Sequence, residues 1–301
     1  MIYYQIQFFC YNIPIMKLEE IYNSEKTILS FEIFPPKDDE NGDKINKLFS
    51  EIDKLKIYKP ALISVTYGAG GSNKDKSYNI VKTLSEQNVN VMPHFTCVCS
   101  KKEQIDEYLN QLNSLNIENI LALRGDEPKD INVCYLDFRY ANELVEYLNK
   151  KTDFNIAVAG YPEGHIAAPD LKTDIQNLKK KIHAGGKVIF TQLFFDNEKF
   201  FQYKDLLEKE NIDIPVVAGI LPIRSYSQLD KMLSMAKITL PVKLKEKLEK
   251  YKDNSEDIKK IGIDFASKQC LELLNQKVDG LHFYTLNKGD SVSKILENIS
   301  Y

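Results

Sequence analysis

Hydrophobic positions along this chain fall into two alternating kinds of segment. Short β-rich runs occur at Ile28 to Ile33, Leu62 to Thr66, Val91 to Phe95, Ile120 to Leu123, Ile156 to Ala159, Val188 to Thr191, Val216 to Ile220 and Leu281 to Tyr284. Between them apolar residues recur at helical spacing, as at Leu171, Ile175, Leu178 and Ile182. Strands alternating with helices predict parallel βαβ units, and no Pro/Gly/Ser-rich linker divides the chain. The expectation is an α/β fold in a single domain. Eight such units over this length favour a closed (β/α)₈ TIM barrel over an open doubly wound sheet.

Two helical stretches read as surface elements on spacing alone. Asp174, Asn177 and Lys181 share the polar face of the 171–182 helix, which by itself reads as solvated. From Pro241 to Lys252, lysines interleave with Glu246 and Glu249, a pattern that supports i,i+4 pairs without making a basic patch. At the other end, Met16 opens an amphipathic helix start, Met-Lys-Leu-Glu-Glu-Ile-Tyr. Residues 1–15 are apolar but have neither a positive n-region nor a small-residue cleavage site. Translation is therefore expected to start at Met16, with residues 1–15 an extension outside the core and 16–301 the barrel.

Composition narrows the partners. The 301 residues are 43% hydrophobic, enough to bury a substantial core, and the 40 basic and 43 acidic residues leave a net charge of −3. That balance offers no footprint for nucleic acid or an anionic membrane surface, and no apolar run approaches the ~20 residues that span a bilayer. Five cysteines form neither a disulfide framework nor a zinc spacing, so reduced, buried or inert thiols in a cytoplasmic protein are expected.

Candidate chemistry gathers at the ends of the strand-like runs. Glu32 sits in Ser-Phe-Glu-Ile-Phe-Pro-Pro-Lys (Ser30 to Lys37), a carboxylate in an apolar run that two prolines stop. Burial disfavours the charged form of such a group, so it can hold a proton near neutral pH and act as a general acid. Thr66 with Tyr67, His94, Arg124 with Asp126, Tyr161, Gln192 and Tyr284 also lie at or just beyond the C-terminal end of a run, the end at which barrel active sites are built. For any one of them a satisfied polar cap is as good an explanation; for the set, one shared mouth is the better one. Glycines in Val-Thr-Tyr-Gly-Ala-Gly-Gly-Ser and Leu-Ala-Leu-Arg-Gly-Asp-Glu-Pro allow close approach of backbone to ligand, but match neither the dinucleotide fingerprint nor the P-loop. Aromatics paired with polar groups in Gly-Tyr-Pro-Glu-Gly-His and Thr-Gln-Leu-Phe-Phe-Asp suit a planar heteroaromatic ligand. His94 and His165 lack the partner spacing of metal ligands, and no metal is expected.

These segments, with Pro-His-Phe-Thr-Cys, Gly-Ile-Leu-Pro-Ile and His-Phe-Tyr-Thr-Leu-Asn, occur in the order found in methylenetetrahydrofolate reductases, and the chain resembles that family from about Met16 to its end. The resemblance implies a flavoprotein barrel that holds FAD in its mouth. It implies reduction of 5,10-methylenetetrahydrofolate to 5-methyltetrahydrofolate with electrons from NADH or NADPH, in ping-pong fashion, serving one-carbon metabolism and methionine biosynthesis. By motif, Glu32 matches the general acid, Asp126 the carboxylate near flavin and pterin, and Gln192 the amide that hydrogen-bonds the folate. Tyr226 matches an aromatic that stacks on the bound substrate. Cofactor positions carried over are Thr66, Tyr67, Ala69, His94, Arg124, Gly125, Asp126, Ala141, Tyr161, His165, Ala168, Asp174, Asn177, Lys180 and Lys181, which reassigns the polar face of the 171–182 helix to the cofactor.

Lys288 follows Leu286-Asn287 where many relatives carry arginine, so a folate carboxylate there would meet a point charge in place of a fork. The chain stops at the barrel, and no inhibition by S-adenosylmethionine is expected. A homo-oligomer is expected too. Competing readings are another flavin barrel of the proline-dehydrogenase kind, a pterin methyltransferase barrel without flavin, and a non-catalytic barrel in a larger redox complex. Electrons could also arrive through a partner protein. The sequence does not separate NADH from NADPH.

Overall fold

The computed structural model describes residues 15–23, 26–36, 42–67, 74–125 and 137–301. Eight parallel strands close into a barrel in sequence order: β1 (Ile28–Ile33), β2 (Leu62–Val65), β3 (Val91–Thr96), β4 (Asn119–Leu123), β5 (Asn155–Gly160), β6 (Gly186–Leu193), β7 (Val216–Ile220) and β8 (Gly280–Tyr284). Closure is made by β1 against β8, with Ser30 opposite His282 and Glu32 opposite Tyr284. Every strand proposed from the hydrophobic pattern is present, within two residues at each end.

Helices cover the outside: α2 (Asp43–Lys56), α3 (Lys74–Glu86), α4 (Lys102–Asn113), α5 (Ala141–Lys151), α6 (Leu171–His183), α7 (Asn197–Lys209), α10 (Ser255–Asn275) and α11 (Gly289–Asn298). Two more, α8 (Tyr226–Met235) and α9 (Val242–Lys250), lie between β7 and α10. On β1, Leu29, Phe31 and Ile33 face these helices and join the main core with Leu48, Ile52 and Leu55 of α2. The α9 stretch is not wholly a solvated surface helix. Leu244 and Leu248 are buried against Leu221, Ile223 and Leu229, because two leucines one turn apart give even a lysine-rich helix an apolar stripe.

A short helix, α1 (Leu18–Tyr22), plugs the N-terminal end of the barrel. Its Leu18, Ile21 and Tyr22 pack against inward side chains Leu62, Met92, Leu121, Val188, Phe190 and Val217. Helix starts leave backbone N–H groups without partners, and here asparagines at the feet of the strands supply them. Asn119 Oδ1 accepts from Leu18 N–H at 2.8 Å, Asn155 Oδ1 accepts from Glu19 N–H at 3.0 Å, and Asn119 Nδ2 donates to the Met16 carbonyl at 2.8 Å. Residues 1–14 lie outside the described residues.

Among the described residues no helix is long and apolar enough to cross a membrane, and no cluster of His, Cys, Asp or Glu could hold a metal ion. Cys97 and Cys270 are buried free thiols, and burial raises the Cys97 thiol to about 12. Cys99 is disulfide-bonded, which corrects the expectation of reduced thiols throughout. Spacing along the chain does not report which thiols the fold brings together.

Candidate active site

Strand alternation sends every second side chain inward, and the inward set changes character from bottom to top of the barrel. The lower layer is the apolar floor against α1. Above it the inward residues turn polar: Ser30 and Glu32 on β1, Ser64 on β2, His94 and Thr96 on β3, Gln192 on β6, His282 and Tyr284 on β8. A cavity of about 920 Å³ opens there, at the C-terminal ends of the strands. This is near the upper end of the roughly 300–1,000 Å³ typical of small-molecule and cofactor sites.

Thr66, Tyr67, His94, Arg124, Gly125, Ala141, Tyr161, His165, Ala168, Asp174, Asn177, Lys180, Lys181 and Gln192 all line this one cavity. Residues more than a hundred positions apart in the chain are thus brought to a common wall. Ala69 and Asp126 lie outside the described residues. Tyr226 is the first residue of α8 and packs beside Leu229, while Lys288 immediately precedes α11; neither lines the cavity.

One wall suits an anion. Lys180, Lys181 and Arg124 lie along it, joined by Lys237 from the α8–α9 connection. Lys181 Nζ donates to the Ala159 carbonyl at 2.5 Å, and burial pulls its ammonium down to about 8 even with Asp174 nearby. The Asp174 carboxyl moves the other way, raised by burial. A buried ammonium that is costly to charge is favoured by an added negative group beside it, and Asp174, already raised, opposes such a group less in its neutral form. At Gly125 the backbone has φ +87°, and an added Cβ would come within 3.0 Å of Thr96, so backbone fills a place no side chain could.

Beside these cations the cavity suits a flat ring with hydrogen-bonding edges, Lys181 Nζ lying 5.9 Å from the centroid of the Tyr161 ring. Tyr161 and His165 meet edge-to-face with centroids 4.6 Å apart. His165 Nδ1 accepts from Ala167 N–H at 3.1 Å, and burial lowers this imidazole, so the neutral ring carries its proton on Nε2. Gln192 Oε1 accepts from Leu193 N–H at 2.9 Å, leaving the amide NH₂ as its donor side. Two buried polar atoms at the cavity, His94 Nε2 and Thr96 Oγ1, have no hydrogen-bond partner among the described residues. Buried groups of this kind are rarely left unpaired unless a ligand or water meets them.

Glu32 stands next to this cavity. Its Oε2 lies 3.5 Å from His94 Nε2, with the side chain 18% exposed, so the acid is held in the barrel yet reachable. Burial lowers the His94 imidazole to about 4, so it is neutral at physiological pH. Behind Glu32, His282 Nε2 is 3.9 Å from the same carboxylate oxygen.

Several cavity residues were not found from sequence. Lys237 donates to the Ala168 carbonyl at 3.0 Å, and Glu163 accepts from Thr239 N–H at 2.9 Å, tying the α8–α9 connection across the cavity edge. No motif marks that connection, whose place depends on α8 and α9 packing. Thr96 and His282 lay inside segments already singled out, and strand alternation would have pointed both inward.

The family profile of methylenetetrahydrofolate reductase matches residues 17–300. The chain is 39% identical over 280 residues to the 5,10-methylenetetrahydrofolate reductase of Buchnera aphidicola, covering 93% of each chain. It is 33% identical over 263 residues to the Escherichia coli protein of the same name, covering 87% of each. It is also 37% identical to methylenetetrahydrofolate reductase (NADH) 1 of Arabidopsis thaliana, where it spans 50% of that longer chain. An uncharacterized Clostridium thermocellum protein that binds two copies of 5-methyl-5,6,7,8-tetrahydrofolic acid has the same fold, at 14% identity and a TM-score of 0.66, over 93% of this chain and 96% of that one. A profile match across nearly the whole barrel, together with relatives this similar over nearly their whole length, leaves one conclusion: this chain belongs to the methylenetetrahydrofolate reductase family.

Proposed function

We propose that this chain reduces 5,10-methylenetetrahydrofolate to 5-methyltetrahydrofolate with a nicotinamide as electron donor and FAD as resident cofactor. The observation that carries the reading is the single cavity in which fourteen motif-matched residues meet, with Glu32 3.5 Å from its His94 wall. The residues present fit FAD. The cationic wall of Arg124, Lys180, Lys181 and Lys237 suits a diphosphate, Gly125 admits it close to backbone, and the unpaired His94 Nε2 and Thr96 Oγ1 lie where a heteroaromatic edge would find partners. When bound, FAD supplies a two-electron relay between nicotinamide and folate.

The protein's own part is to bind, orient and move a proton. Glu32 protonates N10 as the five-membered ring of the folate opens; the bond from the methylene carbon to N10 breaks and its electron pair takes that proton. One hydride then completes the methyl group, so each turnover consumes one hydride and one proton, the latter returned to Glu32 from solvent. Gln192 orients the pterin through its amide. Asp126, by its motif, supplies a negative charge that favours the ring-opened cation. Tyr226 stacks on the bound substrate and Lys288 meets the folate tail, both by motif. Nicotinamide and folate use the same face in turn, and parallel initial-rate lines are expected.

The test separates the two half-reactions. Glu32→Gln, mixed anaerobically with each nicotinamide, should still bleach the flavin, while reoxidation by methylenetetrahydrofolate falls by at least about 10³-fold. Equal loss of both half-reactions would remove Glu32 from the acid's role. A protein that stays colourless after incubation with FAD would overturn the flavin assignment.

A further inference from the structure

Strand β1 ends at Ile33, and Pro35 and Pro36 cannot continue its ladder because neither has an N–H to donate. A strand end of this kind is loose unless something else holds it. The turn after β8 does so. Thr285 Oγ1 donates to the Glu32 carbonyl at 2.7 Å, and the Asn287 amide brackets Phe34, with Oδ1 accepting from its N–H at 3.0 Å and Nδ2 donating to its carbonyl at 2.7 Å. A side-chain amide that meets both backbone groups of one residue adds a rung that the prolines would otherwise forfeit. On the other edge Thr66 N–H donates to the Ile33 carbonyl at 3.0 Å, so the segment that carries Glu32 is held from both neighbouring strands.

The turn that supplies this amide is strained. Lys288 N–H donates to the Thr285 carbonyl at 3.0 Å, closing a four-residue turn whose central pair, Leu286 and Asn287, have φ of 49° and 57°. Turns of this hand favour Asn, Asp or Gly at both central positions, and a leucine at the first is held against its steric preference. Such residues persist where surrounding contacts over-determine them, and they gather at functional sites. Here the contacts are those to β1. Thr285, only 2% exposed, also accepts from Asn287 N–H at 3.1 Å through the same hydroxyl that holds the Glu32 carbonyl.

We propose that Asn287, seated on Thr285, is a positioning residue for the reaction: by bracketing Phe34 it fixes the end of β1, and with it the place from which the Glu32 carboxyl meets the folate. This rests on the reading of Glu32 as the proton donor. The bracket touches backbone alone, two residues beyond the acid, so it acts on where Glu32 stands.

The experiment follows both half-reactions of the FAD-loaded enzyme by anaerobic stopped flow in Asn287→Gly, Asn287→Ala, Thr285→Val, Thr285→Ser, Leu286→Gly and Glu32→Gln. Glycine keeps the positive φ and removes only the bracket, so Asn287→Gly carries the test if Asn287→Ala does not fold. Reoxidation at saturating methylenetetrahydrofolate should fall about ten- to a hundredfold in Asn287→Gly and Thr285→Val, the loss that follows when a reacting group is misplaced by up to about 1 Å. The half-saturating folate concentration, and flavin bleaching by the nicotinamide, should stay within about threefold of the parent. Thr285→Ser keeps the hydroxyl and Leu286→Gly keeps the bracket, and both should match the parent within the same range. Amide hydrogen exchange at Phe34 reads the bracket directly and should quicken at least about tenfold in Asn287→Gly. Faster exchange at Phe34 with saturated reoxidation unchanged would reduce the bracket to a loop fastening and overturn the proposal. Equal losses in both half-reactions, or an unchanged Phe34 exchange, would overturn it too. A Glu32→Gln enzyme that still reoxidises with folate would instead remove the reading beneath it, whatever Asn287 does to β1.

Discussion

Lys181 offers the sharpest quantitative test of the anion wall. Its ammonium is pulled from 10.5 to about 8 by burial, against the opposing pull of Asp174. In the unfolded chain the same lysine keeps its proton to about 10.4. Between these limits the unfolded state binds more protons than the folded one, so stability must rise with pH as the burial cost of the charge is relieved. The complete shift corresponds to about 3 kcal/mol. Part of the side chain meets cavity solvent, and about pH 9.5 stops short of the unfolded value, so a gain of about 1 to 2 kcal/mol over about pH 7 to 9.5 is expected. Lys181→Met keeps the volume and removes the proton. Urea unfolding of the cofactor-free protein and of this variant at both pH values isolates the lysine, because all other lysines and tyrosines are common to the pair. Parallel stability changes in the two proteins would refute the reasoning. Bound diphosphate should reverse the bias, since an anion favours the ammonium; FAD should bind with proton uptake above pH 8 and bind less tightly as pH climbs further.

Three other outcomes follow. Asn119→Ala leaves the Leu18 N–H without a partner at the barrel floor and the Met16 carbonyl with only Asn90 Nδ2 at 3.3 Å, and should cost about 1 to 3 kcal/mol in urea unfolding, with both half-reactions within twofold of the parent. Gly125→Ala places a methyl group against Thr96 on a backbone with φ +87°, and should lose about 1 to 2 kcal/mol of stability and weaken flavin retention on gel filtration. Asp290 is held well below the ordinary carboxylate range by Arg224 and Lys259, so its contribution is present at neutral pH and lost as pH falls below about 4; Asp290→Asn should flatten that acid limb in thermal unfolding.

The barrel was legible in the sequence because parallel strands buried on both faces must be apolar along their length, and the helices between them carry stripes at a different period. The polar strand ends were legible for the same reason: Glu32, His94 and Gln192 interrupt apolar runs, and such interruptions are rare enough to notice. Motif order supplied the family. Spacing alone misjudged α6, whose Asp174, Asn177 and Lys181 read as a solvated face, since a pattern of polar residues looks the same towards water and towards a polar cavity. The asparagines at the strand feet carry no local signal at all, because the α1 N–H groups that their oxygens meet lie more than a hundred residues away in the chain.

By itself the sequence determined periodicity, strand count and which positions could not be apolar. Only the tertiary structure decided which of those positions meet. Barrel closure sets β1 beside β8, placing Ser30 and His282, some 250 residues apart, within one hydrogen bond beneath Glu32. Periodicity is a local property of the chain, whereas proximity across the seam depends on the shear and closure of all eight strands together.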